Sequence, residues 1–193
     1  MAKLTDIIQE FNGRRIPYSV LLSLEEWKSK RQQILNRTGY ACERCKVVCI
    51  QDYVPKKIGS NIKFLPAVWD EVIKEVPIRS HITGEIIDSF DKHVPVLTIQ
   101  ADPHFPEVHH TYYILDKFPW EYPNESLMVV CHKCHQEIHN KDVIKIYEDE
   151  NMNRGKVLTP CSRCQGTGYL YEYDYYKNGI CFQCNGARFK EWR

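Results

Sequence analysis

Eight of the nine cysteines stand in four Cys-x-x-Cys pairs: 42/45, 131/134, 161/164 and 181/184. Directly behind the second pair runs His135-x-x-x-His139, and a His109-His110 doublet lies upstream of it. A Cys-x-x-Cys turn brings two thiolates to one point at little entropic cost, half of a tetrahedral zinc site. Histidines four apart share one face of a helix and can hold one ion. Adjacent histidines on a strand point to opposite faces. The doublet therefore splits: one imidazole joins the helix histidines at a metal, and the other faces a water. Pairs 42/45 and 131/134 are expected to close one four-thiolate zinc, which is structural because no coordination position stays open. A pairing with the C-terminal cysteines is the alternative. Pairs 161/164 and 181/184 form the second zinc site. Cys49 reads as a small half-buried residue.

Several elements must position these groups. Ser23-Leu24-Glu25-Glu26 reads as a capping box opening a helix from about residue 24 to 36, with Trp27, Arg31, Ile34 and Leu35 near one face and Gly39 as its stop. Asn12 to Arg15 reads as a turn. Residues 46–96 read as an insertion containing strand pieces at 47–50 and 62–65 and a short helix at 67–75. Residues 96–101 alternate as a strand, 102–106 turn, and 107–114 return, so a hairpin ending in His-His is expected. A helix should follow Cys131 over about 132–141. Residues 145–159 read as a polar linker. Beyond them, the alternating tyrosines 169, 171, 173 and 175 read as one face of a strand, with a turn at Asn178-Gly179.

The order Cys42-x-x-Cys45, Val108-His109-His110, Leu127-x-x-x-Cys131-x-x-Cys134-His135-x-x-x-His139 resembles the zinc-containing HNH endonucleases, the ββα-metal superfamily. The resemblance covers residues 23–140 apart from the insertion. It implies an α+β fold, a ββα-metal core with one structural zinc. It makes His109, His135 and His139 ligands of a catalytic divalent ion (Mg, Mn, Ni or Zn) and His110 the general base that activates water. It implies hydrolysis of phosphodiester bonds, with 5′-phosphate and 3′-hydroxyl products. DNA is the expected partner and RNA the alternative; no membrane is involved, and no protein partner is legible. The chain departs from the family pattern at one point. Ser126 stands where an asparagine often braces the active-site loop, and Asn124 could replace it only if the loop shifts.

The Cys161-x-x-Cys164-x-Gly166-x-Gly168 stretch resembles a repeat of the cysteine-rich domain of DnaJ-type co-chaperones. The second copy ends Gly186-Ala187-Arg188 and lacks the last glycine. Two repeats without a J-domain signature do not imply a chaperone, so a small zinc-ribbon-like module is expected. The domains are then 1–145 (nuclease-like, inserted at about 46–96), 146–158 (linker) and 159–193 (four-cysteine module).

Paired cysteines point to zinc in a reducing compartment, hence a cytoplasmic protein. The formal charge is +1, and each four-thiolate zinc site adds about two negative charges. A nucleic-acid role therefore cannot be argued from global charge and needs a local basic face. The opposing reading is a non-catalytic, zinc-stabilised adaptor for nucleic acid or protein. It needs two structural zincs only, whereas the nuclease needs a third ion on the histidines. A chaperone or redox module rests on the C-terminal cysteines alone.

Overall fold

The computed structural model describes residues 2–12, 16–152, 155, 156, 158–173, 175, 176 and 179–192. The expected turn at Asn12 to Arg15 falls largely outside them, as does Asn178 of the second turn. The chain is mixed α/β and divides into two compact units: Met1–Val47 with Pro106–Arg193, and Val48–Phe105.

Helices α1 (Leu4–Phe11), α2 (Tyr18–Leu21) and α3 (Glu25–Arg37) open the first unit. Glu25 and Glu26 sit at the positive end of α3 and Arg37 at its negative end, each favourable to the helix dipole. The expected capping box does not form. Leu24 is the N-cap, Ser23 Oγ donates to the Val20 carbonyl at 2.7 Å, and Glu26 accepts from Leu4 N–H at 3.0 Å. The chain ahead of α3 competes for both side chains, and the Ala2 carbonyl takes the Glu25 N–H instead. Past α3 the chain turns through Gly39 at φ +59. Ile34 and Leu35 join Ile114, Tyr122, Leu127 and Val129 in the core. Ile34 is fully buried. Ile34→Ala is expected to cost about 2–5 kcal/mol, seen as a lower thermal midpoint by circular dichroism with zinc content unchanged.

The second unit is an antiparallel sheet of β1 (Asp52–Ile58), β2 (Asn61–Arg79) and β3 (Ile86–Ile99). β2 pairs with β1 over residues 61–67 and with β3 over 67–79. The short helix expected at 67–75 is therefore strand. Val68, Val72, Ile73 and Val76 are β-branched and prefer a pleated backbone, and β3 supplies the ladder partner. The expected hairpin between 96–101 and 107–114 is also absent. Residues 96–99 belong to β3 and pair with β2 residues 67–70.

In the first unit, β4 (Pro106–His110) pairs instead with β6 (Leu127–Cys131), antiparallel, with His109 opposite Met128 and His110 opposite Leu127. Helix α4 (His132–Lys141) starts directly after β6, as the sequence predicts. The 107–114 stretch breaks at Thr111. β5 (Tyr112–Ile114) pairs in parallel with β7 (Lys145–Tyr147), which β8 (Gly155–Lys156) extends. The stretch read as a linker thus supplies a strand, anchored by the fully buried Ile146.

In the four-cysteine module the tyrosine run is not a strand. Tyr171–Tyr173 is a 3-10 turn, and Tyr169 makes only an isolated bridge to Ile180. Leu170, between the alternate tyrosines, fills the small core with the cysteines, while Tyr175 is exposed. A core built around four sulfurs leaves no face wide enough for a tyrosine row.

Candidate metal centre

The thiols gather as the spacing predicts. Cys42, Cys45, Cys131 and Cys134 form one group and Cys161, Cys164, Cys181 and Cys184 another; within each, the sulfurs lie within 4.8 Å of one another. Cross-pair separations of 3.8 Å (Cys45–Cys131), 3.9 Å (Cys161–Cys181) and 3.7 Å (Cys164–Cys184) bring the pairs together. Tetrahedral zinc with Zn–S near 2.3 Å sets its sulfurs about 3.8 Å apart. Disulfide sulfurs would lie at about 2.05 Å, and all nine cysteines are free. Both groups therefore fit zinc.

The local chain explains the fit. In two knuckles the first cysteine carbonyl accepts an N–H one residue past the pair, Lys46 and Gln165, each at 2.8 Å. The residue making that turn is left-handed: Lys46 at φ +66, Gln165 at +50, and in the last knuckle Asn185 at +49. The 131/134 pair is built differently. Cys131 is the N-cap of α4, and its Sγ accepts from Cys134 N–H at 3.5 Å. Burial pushes the Cys42 thiol up, but backbone N–H groups directed at the sulfur outweigh it and bring it down to about 7. A thiol so lowered is readily the thiolate that zinc needs.

The histidines separate by strand face. His109, on β4, meets His135 and His139 of α4. The ring centroids lie 5.3 Å (His109–His135), 5.2 Å (His109–His139) and 4.6 Å (His135–His139) apart. His135 Nε2 and His139 Nε2 face each other at 3.2 Å. Two imidazoles on a tetrahedral ion with bonds of 2.0–2.1 Å place their nitrogens roughly 3.3–3.4 Å apart. His109 Nδ1 is buried with no hydrogen-bond partner. Burial holds all three rings below the ordinary imidazole range, His109 to about 4 and His135 to about 3, with His139 lower still. Neutral rings keep lone pairs available to a cation, and three such ligands leave a coordination position open.

Outer contacts orient these rings. The Gln165 backbone hydrogen-bonds His139, the kind of contact that fixes a ligand's tautomer. Glu107 Oε2 lies 3.8 Å from His135 Nδ1. Burial raises Glu107 to about 7, against the pull of Arg31. Arg31 Nη2 donates to the Pro106 carbonyl at 2.6 Å, tying α3 to the start of β4.

His110 points the other way, 2% exposed. Its ring stacks on Trp27 (5.3 Å, 22°) and packs against Tyr113 and Tyr122 (5.3 and 4.7 Å). Nε2 lies 2.9 Å from the Pro119 carbonyl. A carbonyl only accepts, so Nε2 carries the proton and Nδ1 the lone pair. Nδ1 faces the Tyr18 hydroxyl at 3.5 Å. Burial first, and then nearby positive charge, lowers His110 to about 3. The split of the doublet follows the expected alternation, but the group that faces His110 is a tyrosine hydroxyl. Tyr18, Tyr113 and Tyr122 also line a cavity of about 670 Å³, with Lys117 and Asn185 at its wall.

Ser126 braces the loop through its main chain. Its carbonyl accepts from Thr111 N–H (2.9 Å) and Oγ1 (3.1 Å), and its own hydroxyl donates to the Pro123 carbonyl. Asn124 instead accepts from Lys30 Nζ at 2.7 Å. Tyr18, Glu107, Tyr113 and Arg188 escape the sequence reading as parts of this region. Of these only Arg188 left a local trace, as the residue standing where the first repeat has a glycine.

No family model, curated relative or solved structure matches the chain.

Proposed function

We propose that the chain is a metal-dependent endonuclease of the HNH type that hydrolyses phosphodiester bonds of DNA. The observation that carries this reading is the convergence of three neutral imidazoles, His109, His135 and His139, on one point beside a closed thiolate site. The unit that presents them, β4 against β6 followed at once by α4, is the order a ββα-metal core requires. His109, His135 and His139 would hold the ion; when bound, it supplies Lewis-acid stabilisation of charge on the scissile phosphate and leaving oxygen. An all-imidazole set favours zinc, nickel or another transition ion over magnesium. His110 supplies the base. The Pro119 carbonyl fixes its Nε2–H, and Nδ1 takes the proton from the attacking water once that water replaces the Tyr18 hydroxyl. Free Cys-x-x-Cys pairs support work in a reducing, cytoplasmic setting.

The test is cleavage of supercoiled and single-stranded DNA by the zinc-loaded chain under titration with Mg, Mn, Ni and Zn. Divalent-dependent nicking is expected. His110→Ala should lower its rate by about 10²–10⁴-fold while both structural zincs stay. Undiminished cleavage by that variant would refute the assignment of the base.

The burial of His110 favours a second reading, a non-catalytic adaptor for nucleic acid or protein. The adaptor holds two zincs and no third ion. Metal analysis after equilibration with nickel separates the two readings: a third equivalent, lost in His135→Ala, excludes the adaptor.

A further inference from the structure

The open edges of the long sheet are blunted by proline, except along one stretch of β2. Trp69 N–H donates to Gln51 Oε1 at 2.7 Å, on the β1 side of β2. N–H groups two residues apart on a strand point the same way. Those of Glu71, Ile73 and Glu75 therefore point away from β3, and those of the even-numbered residues point toward it. An unpaired edge is a template for another chain, and proline removes a donor from it. Pro95 stands opposite Glu71 and Pro55 opposite Phe64. By the same alternation, they remove donors from the outer edges of β3 and β1. Pro66 does so where β2 runs past the end of β3.

Residues 68–76 of β2 contain no proline. β1 pairs with β2 only as far as Ala67, and Pro77 closes the far end. Trp69, Val72 and Ile73 in this stretch are exposed. Side chains hold two of the outward N–H groups: Gln51 accepts from Trp69, and Asp70 Oδ1 accepts from Glu71 at 2.8 Å.

The stretch is complementary to itself. Val72 is its middle residue. Place a two-fold axis there, and two copies run antiparallel with Val72 against Val72, Asp70 against Lys74 and Val68 against Val76. The donors agree with this register. Glu71 then faces Ile73, and Trp69 faces Glu75, as hydrogen-bonded pairs with outward N–H groups. Val72, Asp70 and Lys74 take the closer, non-hydrogen-bonded places. Charge selects the same centre. An axis at Asp70, Glu71 or Lys74 would set a charge against itself, and one at Ile73 would set Glu71 against Glu75. A centre between two residues would oppose side chains of different faces. Within one chain Lys74 lies opposite Lys92, a like-charge pair that costs stability. Neither lysine has an ion-pair partner among the described residues. Asp70 of a second copy supplies the missing charge.

We infer that the chain forms a two-fold dimer through β2. Residues 68–76 of two copies pair antiparallel about Val72, and the two three-stranded sheets become one of six strands. Pairing takes Glu71 N–H from Asp70, whose carboxylate turns to Lys74 of the second copy.

Sedimentation of the full zinc-loaded chain over a range of concentrations tests this, and a dimer is expected. Lys74→Glu places two like-charge pairs in each dimer and should raise its dissociation constant roughly 10- to 100-fold. Asp70→Lys combined with Lys74→Glu should restore it. Ile73→Pro removes an outward N–H and leaves the β2–β3 bonds intact, so it should give a zinc-loaded monomer. Val72→Cys should cross-link to its own copy under oxidation, and Val76→Cys, on the same face, should not. A wild type that is monomeric at every soluble concentration overturns the dimer. A dimer unaffected by Lys74→Glu and Ile73→Pro forms through another surface and overturns it too. Should Ile73→Pro lose its zinc, the charge variants decide. Failure of the double reversal to recover, with zinc retained, or equal cross-linking at 72 and 76, overturns the register and the proposal with it.

Discussion

Cys131→Ser should bind one zinc fewer than the wild type and show no cooperative thermal unfolding of the first unit. Three roles meet in this residue. It ends β6, caps α4 and contributes one of four thiolates, and it is fully buried. The site it closes joins the turn after α3 to the β6–α4 junction, with Glu43 N–H donating to the Val129 carbonyl at 2.8 Å alongside. A structural zinc in a small finger is worth about 10–16 kcal/mol. Whole domains are stable by only about 5–15 kcal/mol. Losing the site therefore exceeds what the hydrophobic cluster around Ile34 and Leu127 can hold alone. Zinc analysis with a melt by circular dichroism checks this. Cys49→Ala is the control, since Cys49 belongs to neither group, and it should keep both zincs. A Cys131→Ser chain with full zinc and a wild-type melt would refute the structural assignment.

The same residues show what a sequence can and cannot disclose. Ligand spacing is a local property, so the two thiol groups and the ends of α4 were legible from Cys-x-x-Cys and His-x-x-x-His. The division of His109 from His110 followed from strand alternation alone. Pairing is not local. The period at 96–101 announced a strand, but nothing in it said that the partner would be β2, or that β4 would wait for β6 beyond an intervening loop. The 67–75 stretch carries two signals: its charges, Asp70, Glu71, Lys74 and Glu75, resemble a helix surface while its β-branched residues favour a strand. Ile146 follows Val143 and Ile144 in an apolar run that ends at Tyr147, and a linker drawn from residue 145 cuts that run in two. Arg188 shows in the sequence as a lost glycine and as one of the module's cations with Lys190 and Arg193, but its burial cannot be read from spacing. His110 was expected at a water and lies in an aromatic cage. Tyr18, which fills that place, is 92 residues away in the chain.

Acid should destabilise the folded protein through its histidines. His109, His110 and His135 have folded values near 4, 3 and 3, with His139 lower, all beneath the ordinary 6.5. Between the folded and unfolded values the unfolded chain binds protons that the folded chain refuses. Stability is therefore flat above about pH 7 and falls as pH drops from about 6.5 toward 4, by up to about 1.4 kcal/mol per pH unit for each histidine. Glu107 works in the opposite sense. Its folded value near 7 lies above the ordinary 4.5, so the folded chain takes up a proton first and offsets about one histidine over the same window. Charging one imidazole discourages its neighbours, so the four do not add. The thiolate sites also shed zinc in acid, and zinc must be measured at each pH. His110→Phe isolates one contribution, because it keeps a ring in the cage and removes a titrating group that belongs to neither thiolate group nor the histidine trio. Urea unfolding at pH 7, 6 and 5 should show a wild-type decline that is shallower in His110→Phe by about 1 kcal/mol per pH unit. Parallel declines would mean that His110 carries its proton in the folded state, and the neutral base proposed for the site would fail with it.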